Sequence, residues 1–113
     1  MSAITTHVLD TSRGRPAAGV PIVLERRHQG GWRLVGHGQT DADGRLGTLM
    51  SEGVRLEPGT YRLVFDTERY FGSQGLAPFY PSIDVVFEVA PGDLHYHLPL
   101  LLSPFGYSTY RGS

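Results

Sequence analysis

The sequence predicts an all-β sandwich carrying one short helix, and three observations predict it. Apolar and polar residues alternate with a period of two through most segments, as in strands buried on one face. Clusters of Gly, Pro and Asp interrupt those segments at a spacing of roughly 8–12 residues, the mark of short strands joined by turns. A single segment carries helix start and stop signals instead.

Ile4 to Asp10 reads as the first strand, with Ile4, Thr6 and Val8 on one face and Thr5, His7 and Leu9 on the other. Thr11 to Gly19, rich in Arg, Gly and Pro, reads as a loop. Val20 to Arg27 is a strand with Ile22 and Leu24 inward and Glu25 outward. Gln29-Gly30-Gly31 then turns the chain into Trp32–Thr40, so these two strands are expected to pair. Asp41-Ala42-Asp43-Gly44 lacks the third acid and the closing Glu of a calcium loop. It is expected to be a tight turn with Gly44 at positive φ, leaving Arg45 free to point into a cleft.

Glu57-Pro58-Gly59 turns into Thr60–Asp66, where Tyr61, Leu63 and Phe65 alternate. Asp66 to Phe71 is the one predicted helix, capped by Asp66 or Thr67 and stopped near Gly72. After a loop over Gly75–Pro81, Ser82–Val89 sets Ile83, Val85, Phe87 and Val89 against Asp84 and Glu88. Ala90-Pro91-Gly92-Asp93 leads into a final hairpin. Its first strand puts Tyr96, Leu98 and Leu100 on one face and His95 and His97 on the other. Ser103-Pro104-Phe105-Gly106 makes the turn, and Tyr107 to Arg111 returns with Ser108 and Tyr110 on a shared face. Paired as a hairpin, a His, a Ser hydroxyl and a Tyr hydroxyl converge on one surface. So much polar chemistry in a stretch that termini usually leave loose is unusual.

Composition bounds the partners. A chain of 113 residues is expected to be one domain over 1–113, and such a domain buries roughly 65% of its unfolded surface. There is no Cys, so disulfides and thiolate metal sites are excluded. A net charge of -1 with interspersed signs argues against nucleic acid. No apolar run approaches the roughly 20 residues of a membrane span. Neither a secretory signal nor a Ser-Lys-Leu type ending is visible, so the cytoplasm is the expected compartment.

Two stretches carry a resemblance. His95-Tyr96-His97-Leu98-Pro99 with Tyr110-Arg111-Gly112-Ser113, and Thr6-His7-Val8-Leu9-Asp10 with Gly14-Arg15-Pro16-Ala17, resemble the C- and N-terminal signatures of the 5-hydroxyisourate hydrolases, the transthyretin-related proteins of urate breakdown. The two motifs bracket essentially the whole chain. The resemblance implies a transthyretin-like two-sheet β-sandwich and hydrolysis of 5-hydroxyisourate to 2-oxo-4-hydroxy-4-carboxy-5-ureidoimidazoline. It implies catalytic positions at His7, Arg45 and His97. Substrate contacts follow at His7, Arg45 and Tyr110, with Ser108, Arg111 and Ser113 around them. It also implies a homotetramer, a dimer of dimers, with sites where dimers meet; packing two faces together would dry an otherwise shallow site.

The residue types suit that chemistry. An imidazole can take a proton from water at neutral pH, a role assigned to His97, with His7 positioning the water or relaying the proton. Arg45 offers a planar fork to the developing oxyanion. No Ser-His-acid order is apparent, so Ser108 and Ser113 read as hydrogen-bonding groups. Zinc on His7, His95 and His97 is the metal alternative. No acid or Cys stands beside them to complete such a site, so neither metal nor cofactor is expected. The alternative from another class is a transthyretin-like carrier of a small hydrophobic ligand, whose channel would be lined by apolar or short hydroxyl groups. His28 and His37 read as solvated.

Overall fold

The alternating segments form two sheets that pack face to face. The computed structural model describes residues 2–113, and Met1 lies outside the described residues. In chain order the elements are β1 (Ile4–Asp10), β2 (Arg15–Pro16), β3 (Pro21–His28), β4 (Gly31–Gln39), β5 (Arg45–Leu46), β6 (Gly59–Phe65), α1 (Thr67–Gly72), β7 (Ile83–Val89), β8 (Tyr96–Ser103) and β9 (Gly106–Thr109). One sheet runs β2-β1-β8-β9, with β5 also on β1; the other runs β4-β3-β6-β7. The predicted strands are present with ends shifted by one or two residues. The two-residue strands are additional: β2 lies within the stretch read as a loop and β5 directly follows the Asp41–Gly44 turn, and two residues are too few to show a period.

The core lies between the sheets. Ile4, Val8, Leu100 and Leu102 from one sheet meet Ile22, Leu24, Leu63 and Phe65 from the other, all fully or almost fully buried. Each such side chain contributes about 1.5–3 kcal/mol. The β3–β4 hairpin turns through Gln29 and Gly30, both at positive φ, the turn whose twist matches that of the flanking strands. A bulge opposite Leu24 and Glu25 shifts the register of that pair. Trp32 faces outward, between the guanidinium groups of Arg27 at 4.9 Å and Arg62 at 4.3 Å.

Asp66 caps α1 by accepting from Arg69 N at 3.0 Å. The other candidate cap, Thr67, is buried and donates to the Tyr80 carbonyl. The helix buries Tyr70 and Phe71, and Tyr70 donates at 2.7 Å to Asp10 Oδ2. The other oxygen of this buried carboxylate accepts from Ser12 N, Ser12 Oγ and Arg13 N. The loop after β1 is thereby tied to the helix, and β1 is held at its far end.

Two backbone pairings place the site. β1 runs parallel to β8, setting Thr5 beside His97 and His7 beside Pro99. β5 runs antiparallel to β1, setting Arg45 beside His7. Thr5, His7, Arg45 and His97 thus share the face turned away from the core.

Candidate active site

Arg45 is delivered by the Asp41–Gly44 turn. Asp41 Oδ1 accepts from Asp43 N at 2.9 Å and Arg45 N at 3.0 Å, which closes the turn on itself. Gly44 has φ 77°, and a Cβ there would stand 2.3 Å from the Val8 carbonyl oxygen. Only glycine fits, because the turn lies against β1. The same turn fixes His7, whose Nε2 lies 2.9 Å from the Asp43 carbonyl oxygen. A carbonyl only accepts, so Nε2 carries the proton, and Nδ1 is the atom left to accept.

His97 is held on both edges of its ring. Nδ1 lies 2.8 Å from Thr5 Oγ1. On the Cδ2 edge the backbone of Gly112 approaches so closely that a Cβ would stand 2.9 Å from Cδ2. Gly112 N donates to the His97 carbonyl at 2.8 Å, so the end of the chain closes over the residue as one more bridge of the sheet. Nδ1 and Cδ2 flank the atom joining ring to chain, so Nε2 sits at the outer end.

His97 lines a cleft of about 440 Å³ together with Thr5, Thr6, Asp41, Arg45, Leu46, Gly47, His95 and Ser113. Burial pushes the pKa of His97 below the ordinary histidine value, and the positive charges of Arg45, His95 and His7 push it the same way. A neutral imidazole beside a permanent cation can accept a proton from water while the cation faces developing negative charge.

The structure therefore brings Arg45, His97 and Ser113 to one cleft, with His7 on the adjoining strand. Ser108 and Tyr110 are exposed and lie outside the cleft of a single chain; pairing with Leu101 puts Ser108 on the His97 face of the hairpin, whereas Tyr110 follows β9 and borders, with Arg111, a smaller hollow. Arg111 goes to the opposite face. Its guanidinium stacks 4.3 Å from the Tyr96 ring and lies 3.5 Å from Asp93 Oδ2, bordering that hollow, of about 240 Å³, with Val85 and Phe87. His28 and His37 lie exposed on the other sheet. Sequence reading missed Thr5 as a site residue. The only signal was its parity with His7, and nothing in one strand shows that a hydroxyl will meet an imidazole 92 positions away. It also missed the part of His95, which reaches Thr5 Oγ1 at 3.3 Å. Among the described residues, no three His, Asp or Glu side chains are grouped to hold a metal ion.

Sandwich topology and cleft together define the class: the chain belongs to the HIUase/Transthyretin family, whose model matches residues 4–112. The 5-hydroxyisourate hydrolase of Salmonella typhimurium is 47% identical over 110 residues, which cover 97% of this chain and 80% of that one. The solved 5-hydroxyisourate hydrolase of Klebsiella pneumoniae is 36% identical with a TM-score of 0.86, covering 100% of both chains. Sea bream transthyretin, solved in complex with thyroxine, is 38% identical with a TM-score of 0.90, covering 97% of this chain and 94% of that one.

Proposed function

We propose that this chain is a hydrolase that opens the ring amide of 5-hydroxyisourate, the reaction for which its Salmonella and Klebsiella relatives are named. The observation that carries the reading is the set of side chains in the cleft: two imidazoles and a guanidinium beside hydroxyl groups. A carrier of a hydrophobic molecule such as thyroxine gains little from that lining, because charged groups lose hydration without gaining partners. The sandwich alone does not separate the two readings, since it matches hydrolase and transthyretin alike.

In the proposed reaction, water lies between His97 Nε2 and the ring carbonyl carbon. Nε2 takes one proton as the oxygen bonds to carbon. The carbonyl oxygen becomes an oxyanion facing Arg45, whose planar fork stabilises it. The carbon–nitrogen bond then breaks, and the proton held by His97 passes to the departing nitrogen. His7 and Ser113 hold the substrate or its water. Ser108 extends the same face as a hydrogen-bonding group, Tyr110 is a substrate contact offered from the chain end, and Arg111 supports them by anchoring that end on Tyr96 and Asp93.

The assembly proposed is a homotetramer, a dimer of dimers. The cleft lies on an outer sheet face, and Phe105 and Tyr107 at the β8–β9 turn are exposed, as residues awaiting a neighbouring subunit would be. No helix among the described residues is long and apolar enough to cross a membrane; the cytoplasm is proposed as the default compartment. The test is the decay of freshly generated 5-hydroxyisourate, followed spectroscopically with and without protein. Turnover is expected, and His97→Asn should reduce it by on the order of a hundredfold or more at unchanged melting temperature. Tight binding of a thyroxine-like ligand with no acceleration of decay would instead establish a carrier.

A further inference from the structure

A base at His97 Nε2 works only when that nitrogen is bare, and the surroundings of the ring decide whether it is. We propose that Thr5 and His95 are positioning residues that set the tautomer of His97 through one shared hydrogen-bond chain. The inference rests on the reading of His97 as the base, and its geometry stands apart from that reading. Thr5 Oγ1 lies 2.8 Å from His97 Nδ1 and 3.3 Å from His95 Nε2. Thr5 is only 5% exposed and is locked beside His97 by the β1–β8 register. Its hydroxyl is therefore a fixed point between two imidazoles.

A hydroxyl has one proton to give and lone pairs to accept with. With both rings neutral, two arrangements place the hydroxyl proton between the rings. In the first, His97 Nδ1–H donates to Thr5, Thr5 donates to His95 Nε2, and His97 Nε2 is bare. In the second, His95 Nε2–H donates to Thr5, Thr5 donates to His97 Nδ1, and His97 Nε2 carries a proton and has no basic lone pair. Arg45 decides between them. It carries only donors and acts on His97 across the cleft, so a bare outer nitrogen is favoured over a second N–H.

His95 then controls the choice. It is exposed, and it holds the first arrangement only while its Nε2 is bare and accepts from Thr5. With Nε2–H there, the hydroxyl loses its acceptor on that side and is free to turn toward His97 Nδ1, in which case His97 takes the tautomer that is no base. The other charged groups around the ring are His7 on β1, Arg45 on β5 and Asp41 in the turn. The Asp41 carboxylate is occupied through Oδ1 by the backbone of its own turn, and His7 Nε2 is occupied by Asp43. Neither substitutes for the Thr5 bridge.

The test uses the full, ¹⁵N-labelled chain and long-range ¹H–¹⁵N correlation of the imidazole nitrogens, which needs no substrate. In its neutral form, His97 is expected to show a protonated Nδ1 and a bare Nε2. Thr5→Val, the β-branched shape without the hydroxyl, should lose that preference, and Thr5→Ser should keep it. His95→Gln, whose side-chain oxygen can accept from the hydroxyl, should keep the protonated Nδ1 and bare Nε2 of His97. In turnover, Thr5→Val should lower kcat by about tenfold, the size of one ordinary hydrogen bond, with KM unchanged and with rescue by serine. An unchanged His97 tautomer in Thr5→Val at unaltered melting temperature overturns the proposal. A fully active His97→Asn beside the expected tautomer change removes the base assignment and leaves the Thr5 chain standing.

Discussion

His97 shows how much of one residue's chemistry is set by its neighbours. Burial, then the charges of Arg45, His95 and His7, disfavour its protonated form. The neutral, basic form therefore persists to lower pH than in a free histidine. If it is the base, kcat/KM should rise with pH through a step lying below about 6.5, the unperturbed histidine value. Arg45→Gln removes one of the depressing charges. Its step should move upward while turnover falls through loss of oxyanion stabilisation; a pH–rate profile of both proteins checks this, and an unmoved step would remove Arg45 from the vicinity of the base. The same shift has a stability consequence of definite sign. Between the depressed folded value and about 6.5 the unfolded chain binds more protons. Stability from this group is complete above that window and is lost as pH falls through it.

Among the elements, the sheet of β1, β5, β8 and the chain end is the frame on which the site is drawn. Gly112 is a contact of backbone with ring, so Gly112→Ala must displace either the terminal segment or His97. The expected result is a loss of turnover on the order of tenfold or more, as misplacement of a reacting group produces, with a smaller change in melting temperature. A fully active Gly112→Ala enzyme would show that the segment does not position His97. At the other end of β1, Tyr70→Phe removes a donor from the buried Asp10 carboxylate. Denaturant unfolding should show a loss of about 1–3 kcal/mol, the cost of an under-satisfied buried acceptor. A loss below that range would mean that the contacts from Ser12 and Arg13 satisfy Asp10 without help.

At the scale of the molecule, the cleft is an open groove on one face of a sandwich whose extents are 41 × 29 × 21 Å. A hydrolytic site of charged groups works better when bulk water is excluded, and a second outer face laid over the first accomplishes that. Light scattering at micromolar concentration should report about four chains per particle, in keeping with closed symmetry. Phe105→Glu at the exposed turn should shift that mass downward and reduce turnover in parallel. A monodisperse, fully active monomer would show that one chain suffices and that the tetramer is not part of the site.

Much of this was legible in the sequence because it is local. Alternation in Ile4–Asp10, Thr60–Asp66 and Ser82–Val89 decided which side chains enter the core, since a strand has only two faces. Asp66 before a short apolar run marked the helix, and Gly44 after two acids marked the turn that presents Arg45. The histidines and the Tyr-Arg-Gly-Ser ending could be singled out by residue type and by resemblance. What the sequence could not decide is how strands far apart in the chain would register. The parallel pairing of β1 with β8 puts Thr5 against His97, and the two-residue pairing of β5 with β1 puts Arg45 against His7. Neither leaves a periodic trace, because each partner carries only half of the contact. The direction taken by Arg111 was equally invisible: it goes to Tyr96 and Asp93, where a ring and a carboxylate from other parts of the fold await it. Residue types and faces are properties of short segments, whereas a hydrogen-bonded cluster is a property of the register between segments, and only the folded sheet contains it.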